Sequence, residues 1–199
     1  MSISVDYYFS PQSPWTYLGH QRFVNAATSA GAKVRVLPVD FGKVFAVSGG
    51  LPLGKRAPQR QAYRLVEMKR FSEQLGLPLV LNPAFFPVSG DPSARLILAV
   101  DVQDGADAAL KLSGAIFSAV WEKELNIADD ELLLAILSTC NLSSERLADS
   151  KTPALQAAYD ACTQRAIDAG VFGAPSYVID GEIFWGQDRL DFVERRLLA

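Results

Sequence analysis

No Cys-x-x-Cys pair occurs in this chain. Its two cysteines, Cys140 and Cys162, stand far apart, which excludes thiol–disulfide exchange from a closely spaced pair. One histidine, His20, leaves too few nitrogen and sulfur donors for a zinc site, so no metal is expected. No run of 18 apolar residues is present, and no membrane span is expected. Met1 leads into an alternating apolar pattern without the basic and apolar regions of a signal peptide, so none is expected. A surplus of basic charge is also missing. Net charge is −3, and the scattered basic residues make no case for nucleic acid. The one basic cluster, "GKRAPQRQAYR", is short and interrupted; it suits an anionic small molecule held by one or two arginines. The default is a soluble cytoplasmic protein with a small-molecule substrate.

What is present is an ordinary globular composition, 49% hydrophobic and 21% charged over 199 residues, enough to bury a core without disulfides. "SISVDYYF" alternates Ile3, Val5, Tyr7 and Phe9 and reads as a strand. From Pro14 to about Gly31 the pattern is helical, with Trp15, Leu18, Phe23, Val24 and Ala27 broadly on one side. "KVRVLPVDF" is a valine-rich strand, which completes a parallel βαβ unit. Residues 45 to 60, rich in Gly and Pro, read as a loop. Helices follow from "QRQAYRLVEMKRFSEQLG" to "PALQAAYDACTQRAIDAG", with no clear strand between. Strands return at Ser176–Ile179 and Glu182–Trp185 around an Asp180-Gly181 hairpin turn, and a last helix starts near Asp188. This order predicts an α/β thioredoxin-like fold with an inserted all-helical subdomain: residues 1–45 and 170–199 form the thioredoxin-like part and 46–169 the helical insertion.

The stretch "SPWT" (Ser13 to Thr16) carries the chemistry. Serine is a favoured helix N-cap and proline suits the first helical position, so the pair has a plain structural use. Its place in the fold adds another. In a thioredoxin-like unit the first helix begins where a reactive sulfur sits, stabilised as an anion by unpaired N–H groups and the helix dipole. Ser13 and Thr16 stand where a Cys-Pro-x-Cys motif would have its sulfurs, so what remains is an anion site with a hydroxyl donor. A guest thiol there would ionise more easily; lowering its pKa from about 8.5 towards 7 takes only about 2 kcal/mol. The fold also leads one to expect a cis bond at Ala174-Pro175 before the third strand, presenting backbone to a peptide-like ligand. Gln187 and Asp188 open the last helix, either as a cap or as partners for an amino-acid-like head group.

"SPWTYLG", the Gly/Pro-rich loop, "LPLVLNPAFFPV" and "GVFGAPSYVIDGEIFWGQDRL", in that order, resemble the 2-hydroxychromene-2-carboxylate isomerases, relatives of kappa-class glutathione transferases with DsbA-like topology. The resemblance covers nearly the whole chain. It implies glutathione as cofactor, with Ser13 on the thiolate and Ala174 and Pro175 holding the cysteinyl backbone. It also implies Gln187 and Asp188 on the γ-glutamyl group and Arg60 near the glycyl carboxylate. Trp15, Asn82 and Phe86 are then candidates for the substrate wall. Dimers are common in the resembled family, and its isomerases act in the catabolism of aromatic compounds.

The loop departs from the family pattern: "FAVSGG" has Ala46 and Gly50 where a lysine and an asparagine are usual, with Lys43, Lys55 and Ser48 as nearby substitutes. An Asn-Pro turn explains Asn82 equally well. His20 reads as packed or solvent-facing rather than as a base, Tyr17 as core, and Trp15 as core or cleft wall. Trp185 reads as packing and Asp129-Asp130-Glu131 as a helix-start acidic run. The cysteines read as small buried residues. The reading that best joins these features is a glutathione-dependent isomerase of an aromatic 2-oxo acid. A glutathione transferase acting on electrophiles, or a DsbA-like binding module, are the alternatives.

Overall fold

A computed structural model describes residues 3–199; the expectations resting on Met1 and Ser2 lie outside the described residues. The chain runs β1 (Ser4–Phe9), α1 (Pro14–Ser29), β2 (Lys33–Pro38), α2 (Phe41–Ser48), α3 (Pro58–Leu75), α4 (Asp91–Asp104), α5 (Ala106–Trp121), α6 (Asp130–Thr139), α7 (Glu145–Asp149) and α8 (Pro153–Asp168). It ends with β3 (Ser176–Ile179), β4 (Glu182–Trp185) and α9 (Leu190–Leu197). The sheet order is β2-β1-β3-β4, with β1 parallel to β2 and the other neighbours antiparallel. This is the expected thioredoxin arrangement, a mixed sheet interrupted in sequence by helices. No helix among the described residues is long and apolar enough to cross a membrane.

Alternation along β1 feeds two cores. Val5, Tyr7 and Phe9 point to the side of α1, α5 and α9, while Tyr8 points to the side of α2, α4 and α8. Both faces of the sheet are therefore covered, and Asp6 is buried as well. Arg35 and Arg165 reach its carboxylate and the Tyr8 hydroxyl donates to it. The Asp180-Gly181 turn has φ of 50° and 84°, the left-handed pair that a two-residue hairpin needs. Arg196 of α9 closes on Asp180 at 2.7 Å.

Two details differ from the sequence reading. Residues 41–48, placed partly in a strand tail and partly in a loop, form α2. Its N-cap is Asp40, whose carboxylate accepts from Gly42 N at 2.8 Å, and Gly49 at φ 76° ends it. The boundary drawn at residue 45 thus falls inside α2. The helical stretch also shares its core with the sheet: α4, α5 and α8 all pack on β2, and α5 packs on α1.

His20, which the sequence left as packed or solvent-facing, is packed. It is 4% exposed. A carbonyl only accepts, so His20 Nε2–H donates to Leu110 O at 3.0 Å, and Tyr7 O–H then donates to Nδ1 at 3.2 Å. Burial pushes its pKa down from 6.5 to about 4, against the opposing Leu110 hydrogen bond. The unfolded chain takes up this proton below about 6.5 and the folded chain only near 4, so stability falls as pH drops through that window. The expected loss is on the order of 3 kcal/mol. Urea midpoints measured across this range decline in the native chain, and His20→Gln flattens the slope.

Candidate active site

The first turn of α1 forms one end of a cleft of about 1270 Å³. Ser13 caps the helix with its backbone extended at φ −80° and ψ 123°, and Pro14 takes the first helical position. Ser13 Oγ accepts from Thr16 N at 3.2 Å. Among the described residues the Ser13 hydroxyl proton has no acceptor, and the residue lines the cleft. The oxygen is thus oriented by the backbone while its proton is left for a ligand. Capping the helix therefore leaves this hydroxyl able to donate into the cleft.

Another part of the cleft lining is the turn before β3. Ala174-Pro175 is cis, Gly186 N donates to Pro175 O at 2.9 Å, and Ser176 Oγ donates to Gly173 O at 2.7 Å. Ala174 lines the cleft; Pro175 is buried behind it. Ala174 takes no backbone hydrogen bond of its own among the described residues.

Gln187 and Asp188 also line the cleft, and their side chains are already engaged. Arg22 of α1 donates to both Gln187 O, at 2.9 Å, and Gln187 Oε1. Gln187 is buried and its Nε2 has no partner. Asp188 is half-exposed and pairs with Arg189. Arg22, unremarked in the sequence, is what seats this turn on α1.

The remaining wall comes from α3 and the connector before α4. Trp15, Arg60 and Phe86 line the cleft, so these three candidates join Ser13. Trp15 packs edge-on against Phe71 of α3, ring centres 6.3 Å apart. Asn82 does not join them: it is exposed on the connector, outside the cleft lining, because the chain there turns on Pro83 with Phe86 N donating to Pro83 O. Lys43, Lys55 and Ser48 also lie outside the lining. Lys43 instead pairs with Asp160 at 2.7 Å. Trp185 packs, but with only about half of its surface. It is half-exposed at the cleft edge, packed edge-on against Phe172 at 4.9 Å and lying over Gly173.

The cleft's charge comes from the basic cluster that the sequence offered to an anionic small molecule. Arg56 and Arg64 line the cleft with Arg60; Arg60 and Arg64, four residues apart, share one face of α3, and Arg56 precedes that helix in extended backbone. Burial, then the Arg60 charge, pushes the Arg56 pKa down. No cluster of metal-ligating side chains occurs among the described residues. The cleft therefore offers a hydroxyl and helix N-terminus at one end, positive charge along α3, and aromatic rings between.

The family model for DsbA-like thioredoxin domains matches residues 4–198. A 2-hydroxychromene-2-carboxylate isomerase from Pseudomonas putida is 30% identical, over 96% of this chain and 92% of its own. The chain belongs to the 2-hydroxychromene-2-carboxylate isomerase family, within the DsbA-like thioredoxin domains. Membership makes it an enzyme of the isomerase type. A solved structure of a 2-hydroxychromene-2-carboxylate isomerase superposes with a TM-score of 0.81 at 27% identity, covering 98% of this chain and 94% of that one. A glutathione S-transferase kappa 1 from Caenorhabditis elegans is 23% identical over 95% of this chain and 88% of its own.

In this isomerase-family chain the seat of Gln187 is tight. A Cβ at Gly19 would stand 2.7 Å from Gln187 Cβ and 3.2 Å from Tyr177 Oη. Gly19→Ala is expected to push the turn off α1 and to cost about 1–3 kcal/mol of stability, read from thermal or urea unfolding.

Proposed function

We propose that this protein is a glutathione-dependent cis–trans isomerase of 2-hydroxychromene-2-carboxylate or a related aromatic 2-oxo acid. The observation that carries the reading is Ser13: a cleft-lining hydroxyl whose oxygen is held by Thr16 N and whose proton has no acceptor among the described residues. It stands where a redox relative would need a cysteine. A chain built this way acts on sulfur chemistry only through a thiol that it binds.

The residues suit glutathione in three respects. Ala174 keeps free backbone at the lip for a peptide partner, Gln187 Nε2 is an orphaned buried donor beside the cleft, and the volume of about 1270 Å³ exceeds that of a usual small-ligand pocket. Ser13 would hold the sulfur, Ala174 and Pro175 the cysteinyl unit, Gln187 and Asp188 the γ-glutamyl group, and Arg60 the glycyl carboxylate. When bound, glutathione supplies a thiolate able to add reversibly to a conjugated double bond, which frees that bond to rotate. Ser13 O–H and the α1 N-terminus favour the charged sulfur. The α3 arginines favour negative charge that develops on the substrate oxygen. Trp15 and Phe86 exclude water from the apolar part of the cleft.

A second reading is conjugation of glutathione to electrophiles, favoured by the kappa-class relative. Retention on immobilised glutathione, followed by a spectroscopic assay of chromene carboxylate isomerisation with and without glutathione, tests the first reading. Turnover is expected only with glutathione, and Ser13→Ala is expected to lower kcat by about 10²-fold, the scale of one lost oxyanion-type donor. Equal rates without glutathione would overturn the proposal. Turnover of 1-chloro-2,4-dinitrobenzene but not of the chromene would favour the transferase.

A further inference from the structure

Arg64 is the charged group in this cleft to which the reading above assigns no ligand group of its own. It sits in the second turn of α3 and is only 9% exposed. Its guanidinium lies 5.1 Å from the centre of the Phe86 ring and 5.8 Å from that of Trp121, and those two rings pack on each other at 4.9 Å. Among the described residues it makes no ion pair and no hydrogen bond. Glu67, three residues on in α3 and also in the cleft lining, is committed to Arg70 at 2.7 Å. Its cationic neighbours make matters worse: Arg56, and Arg60 one turn back.

Ring faces recover only about 0.5–2 kcal/mol for such a cation, whereas an unpaired buried charge costs several kcal/mol. Burial, and then the Arg56 charge, accordingly push the Arg64 pKa down to about 10. Its nitrogens are not among the sealed, unpartnered polar atoms, so the guanidinium opens on the cleft that the residue lines. An anion entering the cleft meets a planar five-donor fork with nothing else to bind. Arg56 stands beside it with Nε already donating to Leu51 O at 2.8 Å.

We propose that Arg64, supported by Arg56, is the receptor for the substrate's carboxylate, and that it selects flat aromatic acids over their neutral counterparts. This rests on the aromatic 2-oxo acid reading for the substrate class. Two carboxylates have access to the cleft, the substrate's and the glycyl end of glutathione. Depth separates them. Arg64 lies beside the Phe86 ring, and Trp15 and Phe71 line the same cleft, which suits a ring-bearing acid, whereas Arg60 is exposed at the rim and suits a flexible peptide tail.

The test is calorimetric titration of the glutathione-free protein with phenylpyruvate and with phenylacetone, its neutral analogue. The native chain is expected to prefer the acid by about tenfold or more, and Arg64→Met to weaken the acid about 30-fold, as for truncating one side of a buried charge pair. Arg64→Met is expected to leave phenylacetone and retention on immobilised glutathione unchanged. Arg64→Lys, which keeps charge but not the fork, is expected to fall between. Undiminished acid affinity in Arg64→Met overturns the proposal, as does a native chain that does not prefer the acid. Loss of glutathione retention with acid affinity intact overturns it too, by assigning Arg64 to the glycyl carboxylate. Should Arg64→Met fail to fold, Arg64→Lys decides: weakened acid with unchanged ketone supports the proposal, unchanged acid overturns it. Because no glutathione is present in the titrations, the outcome is independent of the Ser13 test.

Discussion

The antiparallel register of β1 on β3, with Tyr7 opposite Tyr177 and Tyr8 opposite Ser176, governs the geometry of the whole cleft. It brings the end of β1, and therefore Ser13, to the same end of the sheet as the turn at Ala174-Pro175. The stacked rings of Tyr7 and Tyr177, 5.4 Å apart and nearly parallel, fill the interior beneath that junction. A slip of one residue would exchange Tyr7 and Tyr8 between the two cores, which are built around different helices. The register is thus held by packing on both faces, and the site inherits its rigidity.

Above that junction the cleft is electrically polarised along its length. One end has partial positive charge from the N-terminus of α1, focused through a serine that the backbone has already oriented. The α3 side has full charges on Arg60 and Arg64, with Arg56 just before the helix. Between them lie Trp15 and Phe86, which lower the local dielectric and strengthen both ends. The chain's overall charge of −3 conceals this, since it sums over acidic residues spread along the whole chain, some in exposed pairs such as Lys43–Asp160 and Arg195–Asp191.

What was legible in the sequence was whatever had a local cause. The Asp180-Gly181 turn demands left-handed backbone, and the strands on either side follow from it. Ser13-Pro14 announces a helix start because cap and fixed φ are properties of two adjacent residues. The α2 helix was hidden because eight residues hold little periodicity and its capping Asp40 follows a valine run that reads as strand. Arg64 was hidden for another reason: an arginine on a polar helix ordinarily faces water, and only the return of the connector carrying Phe86 over it makes it buried. Asn82 belongs to that same connector and illustrates the converse, since its neighbours in sequence, not in space, suggested a role. Trp185 was taken for packing, but β4 is an edge strand and its terminal residue leans over Gly173 with half its surface in water.

Both cysteines are buried, and burial is also the main cause that raises their thiol pKa values, that of Cys162 to about 11. Neither therefore presents an appreciable thiolate fraction at neutral pH. For a catalyst whose proposed reactants are conjugated carbonyl compounds, this amounts to immunity from self-alkylation: a strong Michael acceptor diffusing out of the cleft finds no competing sulfur nucleophile on the surface that released it.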